Sequence, residues 1–319
     1  MKVGVLGLAC SHPYSFAEIL MNKRLQVDYA WDDDAAELTK YCEKFNVKAV
    51  EGLDAFYKLD LDVVFVDVKN YKHCQAAIPF IKQGIGVFID KPLSTQLQDA
   101  KDILRLAEQS GAILMSCSAM RYMPAYLDIK KRITDGEIGT PVAAVVNVFH
   151  NMKYYLEEPN KWQDNIETGG GEIINIAIHG VEPIQMILGP GVKSVYCIRD
   201  NVIYKNAQSE DTAILLMKFD NGCYATVNML SSISSFGYDI TVYGTKGKIY
   251  GGNPPDLDAT KVSDPLNSFG FVNMVGQFIE GVQSKTLPIP FDESLEVMKT
   301  LFAARLSADN GQTVELRSL

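Results

Sequence analysis

Five short runs of aliphatic and β-branched residues, apolar almost throughout, alternate with helical patterns over the first 120 residues. This alternation restricts the fold more than any other feature of the chain. The runs fall at residues 3–6, 27–31, 63–67, 87–89 and 113–116. Between them, residues 14–21, 35–45, 74–83 and 96–109 carry apolar side chains at three- and four-residue spacing, as in Ile103, Leu104, Leu106 and Ala107. A strand that is apolar on both sides is covered on both faces. The pattern therefore predicts a parallel sheet between two helix layers, an α/β dinucleotide-binding architecture. Thr95 with Gln98 three residues on predicts a capping box for the fourth helix.

Parallel strands bring their carboxyl ends to one edge of the sheet, where open α/β sheets bind ligands. The turn after the first strand is Gly7-Leu8-Ala9-Cys10-Ser11-His12-Pro13. A dinucleotide fold places G-x-G-x-x-G at this point. Gly7 keeps the first glycine, Ala9 takes the second place with one extra methyl, and His12 takes the third. Pro13 suits a first helical turn because its missing N–H is not needed there. Ser11 and His12 are candidates to cap this helix and to meet a phosphate; a plain cap without a ligand fits the same residues. Asp32 ends the second strand, ahead of Asp33 and Asp34. A carboxylate there holds the adenosine ribose and repels a 2′-phosphate, so NAD is expected rather than NADP. Asn70 is a candidate cap of the helix after the third strand, and His73 a candidate for the cofactor cleft, though a lone histidine in a first helical turn more often lies at the surface. The fourth strand closes on Asp90-Lys91-Pro92, where Lys91 is either a ligand-facing cation or a lysine in a plain turn.

The length of 319 residues suggests two domains, taken as residues 1–120 (dinucleotide-binding) and 121–319 (substrate-binding and oligomerisation). A net charge of −9 argues against a nucleic-acid partner, which wants a basic face. No apolar run is long enough to span a bilayer, so no membrane partner is expected. The apolar start, Met1 to Gly7, is too short for a signal segment and reads as a strand. The six cysteines are scattered without a Cys-x-x-Cys pair, so neither a metal centre nor a disulfide framework is expected, and a cytoplasmic location fits.

Past residue 120 the rhythm changes. Residues 124–133 read as a helix, and 142–149, 192–198, 212–219, 223–230 and 240–243 as strands. Asp220-Asn221-Gly222 is a hairpin signal, and Gly244-Thr245-Lys246-Gly247 another turn. Strands joined by tight turns predict an antiparallel sheet and an α+β domain. Residues 272–282 and 294–306 read as closing helices, and 311–316 as a last strand. In the stretch from Gly169 to Glu182, three glycines precede an apolar helix. Asn175 and His179, four apart, are expected on one face of it with Glu182, either as a buried pair bonded to backbone or as a ligand-facing stripe. Pro183 predicts a break just after His179. Lys153 and Trp162, among tyrosines and amides, suit the stacking and hydrogen bonding of a sugar; a self-packed loop suits them as well.

Several motifs recur here in a specific order. Asp90-Lys91-Pro92-Leu93-Ser94 closes a strand before a helix. Asn70 and His73 open the preceding helix. Arg121, Tyr122 and Pro124 follow the next strand, and Lys131-Arg132-Ile133-Thr134-Asp135-Gly136-Glu137-Ile138-Gly139-Thr140-Pro141 links onward. In this order and spacing the chain resembles the Gfo/Idh/MocA oxidoreductase family over essentially its whole length. The resemblance implies a Rossmann domain followed by an α+β domain with a large, mostly antiparallel sheet, whose open face forms a homodimer or homotetramer. It also implies cofactor contacts around Gly7, Ala9, Ser11, His12, Asp32, Asn70, His73, Asp90 and Pro92. In the family the helix near 172–182 carries an Asp and a His that face the substrate; His179 matches the His, and Asn175 stands where many members have Asp. An Asn can hold a hydroxyl but cannot take a proton, which leaves proton transfer to His179 and Lys91. The expected activity is NAD-dependent oxidation of a hydroxyl of a sugar, cyclitol or related polyol. His179 would be the general base, Lys91 would stabilise the developing alkoxide, and Asn175, Arg121, Lys153 and Trp162 would hold the substrate. An NAD-dependent glycosidase and a non-catalytic dinucleotide- and sugar-binding protein remain open as alternatives.

Overall fold

The computed structural model describes residues 1–253, 262 and 264–319. Along the chain come β1 (Val3–Leu6), α1 (His12–Asn22), β2 (Tyr29–Trp31), α2 (Ala35–Phe45), β3 (Lys48–Ala49), α3 (Leu53–Phe56), β4 (Val63–Val66), α4 (His73–Lys82), β5 (Gly86–Ile89), α5 (Leu97–Ser110) and β6 (Leu114–Met115). Then follow α6 (Pro124–Thr134), β7 (Pro141–Phe149), α7 (Glu172–Asn175), α8 (Ile178–Leu188), β8 (Val192–Asp200), β9 (Thr212–Phe219), β10 (Tyr224–Leu230), β11 (Gly237–Gly244) and β12 (Gly247–Asn253). The chain closes with α9 (Pro265–Ser268), α10 (Phe271–Ser284), α11 (Phe291–Asn310) and β13 (Val314–Glu315). It divides into two units: residues 1–117 with 271–291, and residues 118–270 with 292–319. Helix α10, which the sequence reading placed with the second domain, therefore lies in the first unit.

The first unit holds a six-stranded sheet in the order β3-β2-β1-β4-β5-β6, parallel throughout. Every residue of β1, β4 and β5 is buried, which is why these runs carry no polar alternation. Phe16 of α1, Phe65 of β4, Phe88 of β5 and Phe278 of α10 form one aromatic core, with neighbouring ring centroids 5.1–5.6 Å apart. Asp34 caps α2, its carboxylate accepting the N–H groups of Ala36 and Glu37. The capping box expected at Thr95 and Gln98 does not form. Helix α5 starts one residue later, after Gln96, and the Gln96 N–H is taken by Ser94 Oγ at 3.0 Å.

The second unit is built on a seven-stranded sheet in the order β12-β11-β7-β10-β9-β8-β13. The β9–β10 and β11–β12 hairpins form at the two predicted turns. One pair, β7 with β10, is parallel; the others are antiparallel. Alternate residues of β9 and β10 are buried, so one face packs on the core while the other stays open. Helix α8 lies on the covered face. It approaches so closely at Gly180 that an added Cβ would meet Val227 Cγ1 at 2.6 Å and Val148 Cγ2 at 2.9 Å.

Candidate functional site

In the first unit the order β2-β1-β4-β5 brings the residues that follow these strands to one edge. Gly7 takes φ +94°, and a Cβ there would run into the carbonyl of Asp67, so glycine is required. Asp32 Oδ2 accepts the Leu8 N–H at 2.6 Å, and Oδ1 accepts the Asp34 N–H at 2.7 Å. Each oxygen keeps a lone pair, which fits a ribose hydroxyl. Burial raises the Asp32 pKa against the pull of those two N–H groups. Ser11 stands at the start of α1, exposed, with no side-chain cap bond.

The rest of the turn is committed inward. Ala9 N–H donates to the Asp67 carbonyl at 2.9 Å, Cys10 N–H to Asp67 Oδ1 at 3.0 Å, and His12 N–H to Cys10 Sγ at 3.3 Å. The Cys10 thiol lies 3.1 Å from Asp67 Oδ2, and His12 Nδ1 lies 2.9 Å from Asp90 Oδ1. Burial and the neighbouring Asp90 push Asp67 up to about 7. Burial alone would lower His12, but Asp90 wins and raises it; burial likewise opposes the charge of Asp90, and His12 holds that carboxyl below its ordinary value. A dinucleotide fits the ribose end through Gly7 and Asp32, and the helix end through Ser11, while two of the turn's N–H groups already serve Asp67.

Lys91 is buried and joined to Pro92 by a cis peptide. His73 is buried too, not facing a cleft: Nδ1 lies 2.8 Å from the Pro92 carbonyl and Nε2 2.8 Å from the Val68 carbonyl. The ring lies between the chain after β4 and the chain after β5; burial lowers its pKa, and a neutral imidazole donates to one of the two carbonyls. Asn70 is buried in a 3-10 turn, Asn70–Lys72; the positions directly before that turn and before α4 are Lys69 and Lys72.

In the second unit Asn175 and His179 are both buried, but not on one helix. The chain breaks at Ile176, so Asn175 ends α7 and His179 is the second residue of α8. The break expected after His179 does not occur. Pro183 lies inside α8, whose residues are all buried, so packing holds the turn without the missing hydrogen bond. His179 Nδ1 lies 2.7 Å from Ser118 Oγ, which also accepts the Met120 N–H at 3.1 Å. The His179 ring stacks with His150 at 6.4 Å and meets Tyr238 edge-on at 5.5 Å; His150 stacks in turn on Tyr155. Asn175 Nδ2 donates to Gln163 Oε1 at 3.4 Å.

Arg121 is buried, and its guanidinium is engaged within the unit: 3.7 Å from Glu182 Oε1 and 2.6 Å from Glu293 Oε2. It ties α8 to α11, which differs from the substrate contact expected of it. Burial would lower its pKa, but the two glutamates raise it. Burial pushes Glu182 up to about 7 against the pull of Arg121 and of the Ser118 N–H, which donates to Glu182 Oε2 at 2.6 Å. Lys153 is exposed in the 3-10 turn Met152–Tyr155, and Trp162 is half-buried with its carbonyl accepting the Thr168 hydroxyl at 2.6 Å.

Cys10, Asp67, Ser118 and His150 escaped the sequence reading. For Asp67 a signal existed: like Asp32 and Asp90 it is an acid closing an apolar run, and parallel strands bring such ends together. Ser118 and His150 stand out by no local pattern.

Residues 1–117 match the family model of an oxidoreductase family with an NAD-binding Rossmann fold, and residues 126–250 match the GFO/IDH/MocA C-terminal domain. The 1,5-anhydro-D-fructose reductase of Ensifer adhaerens is 27% identical over 197 residues, 61% of this chain and 58% of that protein, so the chain spans less than two thirds of its length. The myo-inositol 2-dehydrogenase of Thermotoga maritima is 27% identical over 281 residues, 82% of this chain and 81% of that protein. Among solved structures, the WlbA dehydrogenase of Bordetella pertussis, in complex with NADH and UDP-GlcNAcA, superposes with a TM-score of 0.86 at 20% identity, covering 98% of this chain and 97% of that one. At that identity the likeness shows the fold.

Proposed function

Because the chain belongs to the Gfo/Idh/MocA oxidoreductase family, whose Rossmann domain binds NAD, we propose that it is an NAD-dependent dehydrogenase oxidising a hydroxyl of a sugar, cyclitol or related polyol. The observation that carries this reading is His179, a buried imidazole oriented through Nδ1 by Ser118 and set among aromatic faces. With the proton on Nδ1 donated to Ser118 Oγ, the lone pair lies on Nε2, the state a general base needs. Gly7, Ser11 and Asp32 would hold NAD, which would supply the hydride acceptor for the carbinol carbon. His179 takes the hydroxyl proton at Nε2 as the carbonyl forms. The Lys91 ammonium stabilises negative charge on that oxygen. Asn175, lacking an acidic proton, serves to hold a neighbouring hydroxyl. Asp32 selects NAD over NADP.

The test is NADH formation with a panel of polyols and sugars. Lys91→Ala is expected to lower turnover by more than about tenfold. A smaller loss would mean that less than ~1.4 kcal/mol of the barrier depends on Lys91, and its role would be wrong. A second reading, binding of dinucleotide and sugar without turnover, draws support from the Ala9 and Cys10 N–H groups already given to Asp67. Calorimetry showing NAD binding, with no NADH from any polyol, would favour it.

Self-association through the open face of the seven-stranded sheet is part of the proposal. Ile198, Ile214, Leu216, Tyr224, Tyr243 and Tyr250 are exposed on its strands, and exposed apolar side chains gathered on one face mark interaction surfaces.

A further inference from the structure

We propose that Cys10 Sγ, His12 Nδ1 and one carboxylate oxygen each of Asp67 and Asp90 form a binding site for a divalent transition-metal ion of the zinc type. The site goes beyond the proposed dehydrogenation and does not rest on it. It runs against the expectation of no metal centre, which was drawn from the lack of a Cys-x-x-Cys pair.

The donors come from three chain segments that only the sheet order brings together. Cys10 and His12 lie in the turn after β1, Asp67 directly after β4 and Asp90 directly after β5, and these strands are neighbours. The four donor atoms all lie within 4.8 Å of one another. Cys10 Sγ is 3.1 Å from Asp67 Oδ2 and 4.0 Å from Asp90 Oδ2, and His12 Nδ1 is 2.9 Å from Asp90 Oδ1. Zinc takes sulfur at about 2.3 Å and nitrogen or oxygen at about 2.0 Å, so donors around one ion stand roughly 3 to 4 Å apart.

The balance of donors and acceptors points the same way. Four carboxylate oxygens, a sulfur and a ring nitrogen converge here, with Asp67 only 2% and Asp90 only 6% exposed. The hydrogen bonds that reach them include those from the Cys10 and His12 backbone N–H groups and from whatever protons the thiol and imidazole carry. The Lys91 charge is felt by both Asp90 and His12. Cys10 Sγ accepts a backbone N–H while lying near both carboxylates, and one S–H proton can serve only one of them. Such a gathering of ligand-type atoms about one point is what a cation stabilises. The bonds Cys10 N–H to Asp67 Oδ1 and His12 N–H to Cys10 Sγ already fix two of the donors, as outer-shell bonds do in metal sites. One sulfur, one nitrogen and two oxygens suit zinc or cobalt; all-oxygen ions such as magnesium and calcium do not favour thiolate. Binding releases the thiol proton, and any proton on His12 Nδ1, to solvent.

The experiment uses the full chain, stripped with chelator and titrated with Co²⁺ and then Zn²⁺ in the absence of NAD. About one equivalent of Co²⁺ should bind, with a near-ultraviolet thiolate charge-transfer band and the visible bands of a tetrahedral ion, both erased by Zn²⁺. Cys10→Ser should abolish the thiolate band. Asp67→Asn and His12→Gln should each weaken Co²⁺ binding by more than about tenfold. Circular dichroism checks the fold of each variant, and the wild-type titration needs no variant at all. Failure of the folded wild-type chain to bind either ion at micromolar concentration would overturn the proposal. So would a thiolate band that survives Cys10→Ser, or binding left unchanged in the two other variants. NAD binding by the stripped chain is measured separately, so the dinucleotide reading stands or falls on its own.

Discussion

Glu182 is a residue of the second unit whose ionisation is opposed by burial. Its carboxylate accepts the Ser118 N–H, faces Arg121 at 3.7 Å, and shares that guanidinium with Glu293. Burial outweighs these favourable neighbours and pushes its pKa from 4.5 up to about 7. The folded chain therefore binds more protons at this site than the unfolded chain between those two values. Stability from Glu182 is fully present below about pH 4.5 and is lost as pH rises through about 7, a change on the order of 3 kcal/mol. Glu182→Gln keeps an oxygen for the Ser118 N–H and cannot titrate. Urea unfolding at pH 5 and pH 8 should show the parent losing more stability than this variant over the interval. Parallel pH trends in the two proteins would refute the assignment.

At the scale of the element, α8 shows how packing overrides local chemistry. Pro183 argues for a break after His179, yet the irregularity lies upstream at Ile176, and the helix continues through Pro183 to Leu188. Burial along its whole length holds it. The closest approach is at Gly180, where an added methyl would press on three valines of the sheet, Val227, Val148 and Val146. Alanine is the better helix former by about 1 kcal/mol, but overpacking a rigid sheet costs about 1 to 3 kcal/mol. Since β7 and β10 are central strands and cannot easily yield, Gly180→Ala is expected to destabilise the chain by about 1 to 2 kcal/mol. A denaturation midpoint at or above that of the parent would show that the helix shifts freely on the sheet.

At the scale of the whole molecule, self-association is tested by mass: light scattering should report a dimer or tetramer, and Leu216→Lys, a charge placed on the open face, should shift it towards monomer without loss of secondary structure. A monomeric parent would remove the proposal. The elements themselves were largely legible beforehand. β1, α2 and β9 have the limits that periodicity implies, and both hairpin turns fall at their Gly-bearing signals. β3, two exposed residues, and β12, which has three glycines and a single buried residue, Ile249, carried too little apolar pattern to be seen. Asp32, Lys91 and His179 could be singled out because residue type, strand end and family spacing are properties of neighbours along the chain. The parallel pairing of β7 with β10, the place of α10 in the first unit, the engagement of Arg121 by two glutamates, and the meeting of Cys10 with Asp67 and of His12 with Asp90 could not be. Those last contacts join residues 57 and 78 positions apart, and sequence pattern reports only what lies within a turn or two. Local periodicity and turn chemistry thus determined the two folds and their candidate residues, while strand order and burial, set by packing across the sheets, decided which of those residues meet and which charges they carry.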